Sequence, residues 1–378
     1  MILPRLDQLH VGILAADLTH QHGWAHYSIS MIHALRRAGV SMTILTTRNS
    51  PIPHGLEAHT LLPTVDPFEN ALHIKLLALI PRARRLLRDC DVIHTFVEPF
   101  APLAYGITGS RPLFITGHGS YVRVHDAYRP PLDRLHAAAF RRATLLCVSE
   151  YTARAARQAV PNVKTVVIPN GIDMDRFTNL PPLEKNGRTV LFVGAVKPRK
   201  GVIALVRAMA LVRETIPDAR CLIAGSTALD HAYVERVRAE IKTHNLSDSV
   251  QLLGRVSDEE LTRLYASADV FAMPSVNDGW KFEGFGLSLL EASAAGLPVI
   301  GTRDCGAESA VDDDITGLLI PQLGMDETHV EPLSGAITRL LREPDLRARM
   351  GLAGRAKAQS HTWDDAARHL ITHYAHPS

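Results

Sequence analysis

Residues 283–302 read EGFGLSLLEASAAGLPVIGT, and how this stretch folds decides the architecture. Glu283 stands before Gly284-Phe285-Gly286, and Glu291 lies deeper in the following apolar run. The run stops at Gly296-Leu297-Pro298 and gives way to the β-branched VIGT. Upstream, DVFAMPS (269–275) is a continuously apolar strand candidate. The succession is strand, glycine-rich connection, helix over 287–295, strand, which is a parallel βαβ unit. Glycine in the connection lets backbone approach a ligand, and the first amides of the helix have no partner within it. A helix amino end also carries roughly half a positive charge, which suits a phosphate. Carboxylates on either side of that mouth accept hydrogen bonds from hydroxyls, at about 1.5–3 kcal/mol each for a charged acceptor. A ligand ordered hydroxyl, phosphate, hydroxyl matches this layout, and a sugar nucleotide is built that way.

The same alternation runs through both halves of the chain. In the first, LHVGILAADL (9–18) precedes a helix over 24–38 that ends at Gly39. VSMTILTT (40–47), DVIHTF (91–96), PLFITGHG (112–119), TLLCVS (144–149) and KTVVIPNGID (164–173) follow as strands. The segment RFTNLPPLEKNGRT (176–189), with two prolines, reads as a linker. The pattern restarts with VLFVGAV (190–196), RCLIAGS (220–226) and VQLLGRV (250–256), separated by helices over 201–215, 230–245 and 257–267. PVIGT (298–302), GLLIP (317–321), two helices over 328–358 and an amphipathic last helix close the chain. Strands this continuously apolar belong to parallel sheets covered on both faces. The expected fold class is therefore α/β, with two Rossmann-like doubly wound parallel-sheet domains facing across a cleft. The expected boundaries are 1–175, the linker 176–189, 190–358, and a terminal helix over 359–378 packing back toward the first domain.

Bulk composition excludes several classes. The 378 residues are 46% hydrophobic and 21% charged with net charge +2, so nothing global points to nucleic acid. The amino-terminal MILPRLDQLHVGILAADL lacks the features of a signal peptide, and no uncharged run reaches the roughly 20 residues of a membrane span. Cys90, Cys147, Cys221 and Cys305 have no metal-type spacing and read as reduced packing residues of a cytoplasmic protein.

A second anion-type loop lies in VGAVKPRKGV (193–202). A strand ends at Gly194, and Lys197, Arg199 and Lys200 cluster before the helix that starts near Gly201. Cations at a strand's carboxyl end can pair with a diphosphate and neutralise a leaving phosphate. Taken alone, this is also what a solvated basic turn looks like. Two such loops at one edge of one sheet favour the ligand.

PNGID (169–173), FVGAVKPRKG (192–201) and the 283–302 stretch, in this order and separation, resemble glycosyltransferase family 4. The similarity covers nearly the whole chain. It implies a retaining enzyme of the GT-B fold, with a nucleotide-sugar donor held mainly by the second domain and a hydroxyl acceptor by the first. Arg199 and Lys200 match the family's basic pair on the donor diphosphate, Glu283 the carboxylate on the transferred sugar, and Glu291 the one on the ribose. The amides of Gly286 and Leu287 would face the phosphates, and Gly254-Arg255-Val256 matches the base-contacting loop. His118, in TGHGS, matches the active-site histidine that contacts the donor sugar near the reacting carbon. The chain departs from the pattern twice. The early glycine pair appears as HGWAHYS (22–28), with Gly23 in register and Trp24 beside it. The later glycine-rich element reads CGAES (305–309), with Ala307 in the second glycine's place.

The implied chemistry is front-face transfer of a hexosyl group from a UDP- or GDP-sugar, with no metal expected. Asp173 and Asp175 follow PNGI rather than a metal-type strand end, and Asp312-Asp313-Asp314 reads as a solvated turn. Four alternatives compete. A sugar-phosphate phosphorylase would need an extra cofactor and a chain much longer than 378 residues. An epimerase would need no acceptor, a nucleotide-sugar sensor could dispense with His118 and Glu283, and a dehydrogenase would carry Gly-x-Gly-x-x-Gly after its first strand, which ADLTHQHGW lacks. HIKLLALIPRARRLLRD (73–89) joins an apolar face to Arg82, Arg84, Arg85 and Arg88, with Pro81 interrupting it. It reads first as an ordinary helix of the first domain with its charges in water, and second as a candidate for peripheral contact with the inner face of a membrane.

Overall fold

Every strand-to-strand ladder among the described residues is parallel. The computed structural model describes residues 9–19, 22–64, 72–128, 130–178 and 186–376, so part of the 176–189 segment, residues 179–185, lies outside them. The chain divides into two compact units, Met1–Gly171 with Trp363–Ser378, and Ile172–Thr362.

In the first unit the strands are β1 (His10–Leu14), β2 (Ser41–Thr47), β3 (His59–Leu62), β4 (Val92–Thr95), β5 (Leu113–Gly117), β6 (Thr144–Cys147) and β7 (Lys164–Val167). They form one sheet in the order β3-β2-β1-β4-β5-β6-β7. Central strands are buried along almost their whole length, Val11, Ile13, Val92, Ile93 and Ile115 being fully inaccessible. This is why their sequences are continuously apolar instead of alternating. The chain reverses direction across the sheet between β1 and β4, where Val11 is in register with Val92. That reversal opens the crevice in which doubly wound sheets bind ligands. The edge strand β3 is absent from the sequence reading, because HTLL is short and its first half is exposed.

The terminal helix Trp363–Ala375 packs on helix Gly23–Arg37 within this unit. Its anchor is polar. The Tyr374 hydroxyl meets His94 Nδ1 at 2.5 Å, His94 Nε2 meets Thr116 Oγ1 at 2.9 Å, and Tyr27 reaches the same Thr116 hydroxyl at 3.3 Å. Burial, followed by the neighbouring His118, holds His94 well below the ordinary histidine range, so a neutral ring joins these hydroxyls.

The second unit contains β8 (Thr189–Val193), β9 (Arg220–Ala224), β10 (Val250–Gly254), β11 (Val270–Ala272), β12 (Val299–Thr302) and β13 (Gly317–Ile320), ordered β10-β9-β8-β11-β12-β13. Here the reversal falls between β8 and β11, with Leu191 in register with Phe271. Helices Val202–Thr215, Leu287–Ala294 and Glu331–Arg342 cover the sheet. They bury Leu205, Met209, Leu290, Ile337 and Leu340 completely.

Tyr374→Phe leaves a buried His94 nitrogen without its hydroxyl partner. The expected outcome is a loss of about 1–3 kcal/mol of unfolding free energy in the first unit, read by denaturant titration.

Candidate active site

The turn after β8 lies beside the reversal point of the second sheet. Lys197 precedes a single 3-10 turn, Pro198–Lys200, which hands over to helix Val202–Thr215 through Gly201. Gly201 is left-handed at φ 65, and a Cβ there would stand 2.0 Å from the Pro274 carbonyl oxygen. The sequence therefore places glycine where the cationic turn is pressed against the end of β11.

Glu283 accepts both cations that the sequence singles out. Its Oε2 takes Lys200 Nζ at 2.6 Å, Arg199 Nη1 at 2.8 Å and the Ser275 hydroxyl at 3.3 Å. Arg199 Nη1 also donates to the Phe282 carbonyl at 3.1 Å. The three charged side chains are 10%, 13% and 21% exposed for Glu283, Lys200 and Arg199. Burial alone would raise the Glu283 carboxyl, but the charges of Lys200 and then Arg199 outweigh it and hold it well below the usual carboxylate range. Burial, followed by repulsion from Arg199 and Lys200, brings the Lys197 ammonium down to about 8. Lys197, Arg199 and Lys200 together exceed the charge of Glu283, and the excess is the local attraction for an anion.

From Glu283 the chain enters helix Leu287–Ala294 through Gly286, left-handed at φ 85. A Cβ on Gly286 would meet Leu289 Cδ1 at 2.8 Å and Met273 Cε at 3.1 Å. The helix mouth is thus capped by a residue with no side chain, and its first amides keep their hydrogen-bonding capacity. Gly306 braces the mouth from below. Its N–H donates to the Glu283 carbonyl at 2.7 Å, and a Cβ on it would lie 1.9 Å from the Gly284 carbonyl oxygen. The first glycine of CGAES is therefore the one the packing requires. Glu308 Oε1 accepts the Asp304 N–H at 2.9 Å.

Glu291 Oε2 takes the Tyr265 hydroxyl at 2.9 Å, and its Oε1 faces Arg176 Nη1 at 3.6 Å. Burial raises its carboxyl, with Arg176 and Tyr265 opposing. The sequence reading misses both partners. Arg176 sits in what reads as linker, and Tyr265 in an amphipathic helix where an aromatic signals core. Gly254 ends β10 at φ 70, with Arg255 exposed and Val256 half-buried after it. The Gly254 carbonyl accepts the Gly225 N–H at 2.8 Å, and a Cβ on Gly225 would stand 1.9 Å from the Gly194 carbonyl oxygen. The loops after β8, β9 and β10 are thus stitched together through backbone.

Gly23 and His118 lie in the first unit. His118 follows β5, between Gly117 and Gly119, and its ring meets Tyr27 edge-on at 4.6 Å. Its Nε2 lies 2.7 Å from the Phe96 carbonyl oxygen. A carbonyl only accepts, so Nε2 carries the proton and Nδ1 is the acceptor of a neutral ring. Burial takes the imidazole down to about 4, which keeps it neutral at physiological pH. Gly23 opens helix Gly23–Arg37, with open space where a Cβ would point. The flanking residues replace the expected glycine pair with side-chain contacts. His22 Nδ1 accepts the Ala25 N–H at 3.3 Å, His22 Nε2 pairs with Asp17 at 2.5 Å, and Trp24 tilts against Tyr121 at 4.7 Å.

The acidic run at 312–314 is a solvated turn, with Asp312 and Asp314 50% and 69% exposed, whose carboxylates make surface ion pairs. Asp312 bonds Lys357 at 2.7 Å, Asp313 pairs with Arg303, and Asp314 faces Arg339 at 3.4 Å.

Residues 22–176 match the family described as Glycosyltransferase Family 4, and residues 174–357 that described as Glycosyl transferases group 1. A GDP-mannose-dependent alpha-(1-6)-phosphatidylinositol monomannoside mannosyltransferase of Mycobacterium tuberculosis is 32% identical over 309 residues, covering 76% of this chain and 77% of that one. A phosphatidyl-myo-inositol mannosyltransferase of the same organism is 29% identical over 296 residues, covering 76% and 74%. Among solved structures, sucrose-phosphate synthase of Thermosynechococcus elongatus superposes with TM-score 0.80 at 24% identity, over 97% of this chain and 98% of that one. An Anabaena protein crystallised with UDP and glucose gives 0.74 at 19%, over 96% and 98%. Two parallel sheets of these topologies, matched over nearly their full length by such structures, are the GT-B fold. The chain belongs to the glycosyltransferases that join a Glycosyltransferase Family 4 domain to a Glycosyl transferases group 1 domain.

Proposed function

We propose that this glycosyltransferase moves a mannosyl group from GDP-mannose to a lipid-linked cyclitol or glycan hydroxyl, with retention and without a metal. The observation that carries the reading is the convergence of Arg199 and Lys200 on Glu283 beside the side-chain-free mouth of helix Leu287–Ala294. The donor base and the acceptor class follow the relatives, whose names specify GDP-mannose and phosphatidylinositol mannosides.

Glycosyl transfer passes through an oxocarbenium-like state as negative charge grows on the departing phosphate. Arg199, Lys200 and the helix amino end stabilise that charge more in the transition state than in the ground state. They supply the positive charge that a divalent ion supplies in metal-dependent transferases. Glu283 holds the two cations in place before the donor arrives and then accepts hydroxyls of the transferred sugar. Glu291, braced by Tyr265 and Arg176, takes the ribose. His118 presents Nδ1 to the transferred sugar, and the leaving phosphate helps to take the acceptor's proton.

A lipid acceptor brings the basic segment of the first unit into play. Pro81 splits it into helices Leu72–Ala78 and Ile80–Leu86. Ile74 and Leu77 are 72% and 41% exposed, and Arg82, Arg84, Arg85 and Arg88 of the following segment are exposed as well. Apolar and cationic groups exposed in successive segments suit peripheral binding to an anionic bilayer. No helix among the described residues is long and apolar enough to cross a membrane.

Incubation with UDP-, GDP- and ADP-sugars, with and without phosphatidylinositol acceptors, should release nucleotide fastest from GDP-mannose with acceptor present, and EDTA should leave the rate unchanged. Rapid turnover of donor without acceptor would favour an epimerase or hydrolase. Glu283→Ala is expected to lower kcat by about 100-fold or more, and Glu291→Ala mainly to raise the donor KM. Protonated Lys197 is the form that attracts a diphosphate, and its fraction falls as pH rises through about 8. The Kd for GDP should therefore weaken up to about tenfold between pH 7 and pH 9, and Lys197→Arg should flatten that dependence. Sedimentation with anionic vesicles should be lost when Arg82, Arg85 and Arg88 are changed to Glu, with GDP affinity retained.

A further inference from the structure

Glu98 is fully buried in the first unit and has no part in the mechanism above. It follows β4 in the segment Phe96-Val97-Glu98-Pro99, and its Oε1 accepts the backbone N–H of His118 at 2.6 Å. Two residues earlier, the Phe96 carbonyl takes the His118 Nε2 proton at 2.7 Å. One short segment therefore grips His118 twice, once by its main chain and once by its ring.

Besides the edge contact with Tyr27, these two hydrogen bonds are what hold His118 in place. Its neighbours Gly117 and Gly119 carry no side chains, and Gly119 adopts φ 139, a conformation that side-chain-bearing residues rarely adopt. A Cβ on Gly117 would stand 2.7 Å from Val122, so the loop could not gain rigidity from a larger residue there. A half-turn of the ring would exchange Nδ1 with Cδ2 and Nε2 with Cε1, breaking the bond to the Phe96 carbonyl and leaving a C–H where an acceptor is needed.

We propose that Glu98 is the positioning residue of His118: together with the Phe96 carbonyl it forms a two-point clamp that fixes the ring orientation and leaves Nδ1 as the acceptor. The inference rests on the reading of His118 as a contact of the transferred sugar. Glu98 acts here as a neutral hydrogen-bond acceptor. Burial pushes its carboxyl up to about 8 against the opposing N–H groups of Glu98 itself and His118 and the Trp24 side chain. The titratable groups facing it are His118 and the buried Cys147, whose thiol burial and then Glu98 push upward. The reach of the side chain, more than its charge, is therefore what the clamp uses.

Glu98→Gln keeps the reach and an accepting carbonyl. Glu98→Asp keeps the carboxyl but falls one methylene short, and Glu98→Ala removes both. The expected kcat of Glu98→Gln is within about threefold of the parent. The Asp and Ala variants should lose about 10- to 100-fold, the penalty of a misplacement near 1 Å, with the Kd for GDP unchanged throughout. An Asp variant more active than the Gln variant would overturn the proposal, and so would an Ala variant within threefold of the parent. If Glu98→Ala does not fold, the Gln and Asp pair decides by itself. A second readout needs no turnover: 15N spectra of histidine-labelled protein, assigned with His118→Asn, should show His118 protonated at Nε2 in the parent and Gln forms and as mixed tautomers in the Asp form. An Asp form that keeps the parent tautomer would overturn the clamp. Absence of transfer by the parent protein would instead overturn the function proposed above while leaving the clamp to the spectra.

Discussion

Glu283 accepting Lys200 at 2.6 Å and Arg199 at 2.8 Å is the contact on which the second unit's site depends. Two neighbouring cations with little access to water repel each other and lose hydration, and both penalties are large unless a carboxylate sits between them. Removing one member leaves the others buried and uncompensated. The surrounding glycines serve this contact. Gly201 lets the cationic turn touch the Pro274 carbonyl, and Gly306 lets its own loop support Gly284. The assembled charge remains net positive, so the site is arranged for an anion before any anion is present.

The first unit solves a different problem with different means. His118 is neutral, and a carbonyl and a buried carboxyl hold it. Aromatic edges from Tyr27 and a chain of hydroxyls through Thr116, His94 and Tyr374 lie behind it. Charge is concentrated in one unit and directional hydrogen bonding in the other.

Much of this was legible in the sequence because parallel sheets write themselves as uninterrupted apolar runs. β1, β4, β5, β9 and β12 all lie inside stretches recognised that way, β8 begins one residue before its stretch, and β3 is not among them because HTLL is short and half exposed. Arg199, Lys200 and Glu283 stand out as charges near glycines and Glu291 as a charge in an apolar helix, but their pairing does not. Lys200 and Glu283 are 83 residues apart, with three strands and three helices between them, and a contact that distant leaves no periodic trace. Arg176, Tyr265 and Glu98 were invisible for a related reason. An arginine in a proline-rich segment, a tyrosine on an apolar helix face and a glutamate before a proline each look ordinary until the fold brings Glu291 or His118 against them. The glycines carried a clearer signal, since Gly201, Gly286 and Gly306 mark positions that no side chain could occupy without displacing backbone or neighbouring side chains.

The central claim is that a nucleoside diphosphate sits where the cationic turn meets the mouth of helix Leu287–Ala294. A crystal structure with bound GDP-mannose tests it most directly. The account predicts phosphate oxygens about 3 Å from Arg199, Lys200 and the Gly286–Leu287 amides, with Glu283 turned from Lys200 toward a sugar hydroxyl. A diphosphate bound elsewhere, with Glu283 still holding both cations, would contradict it.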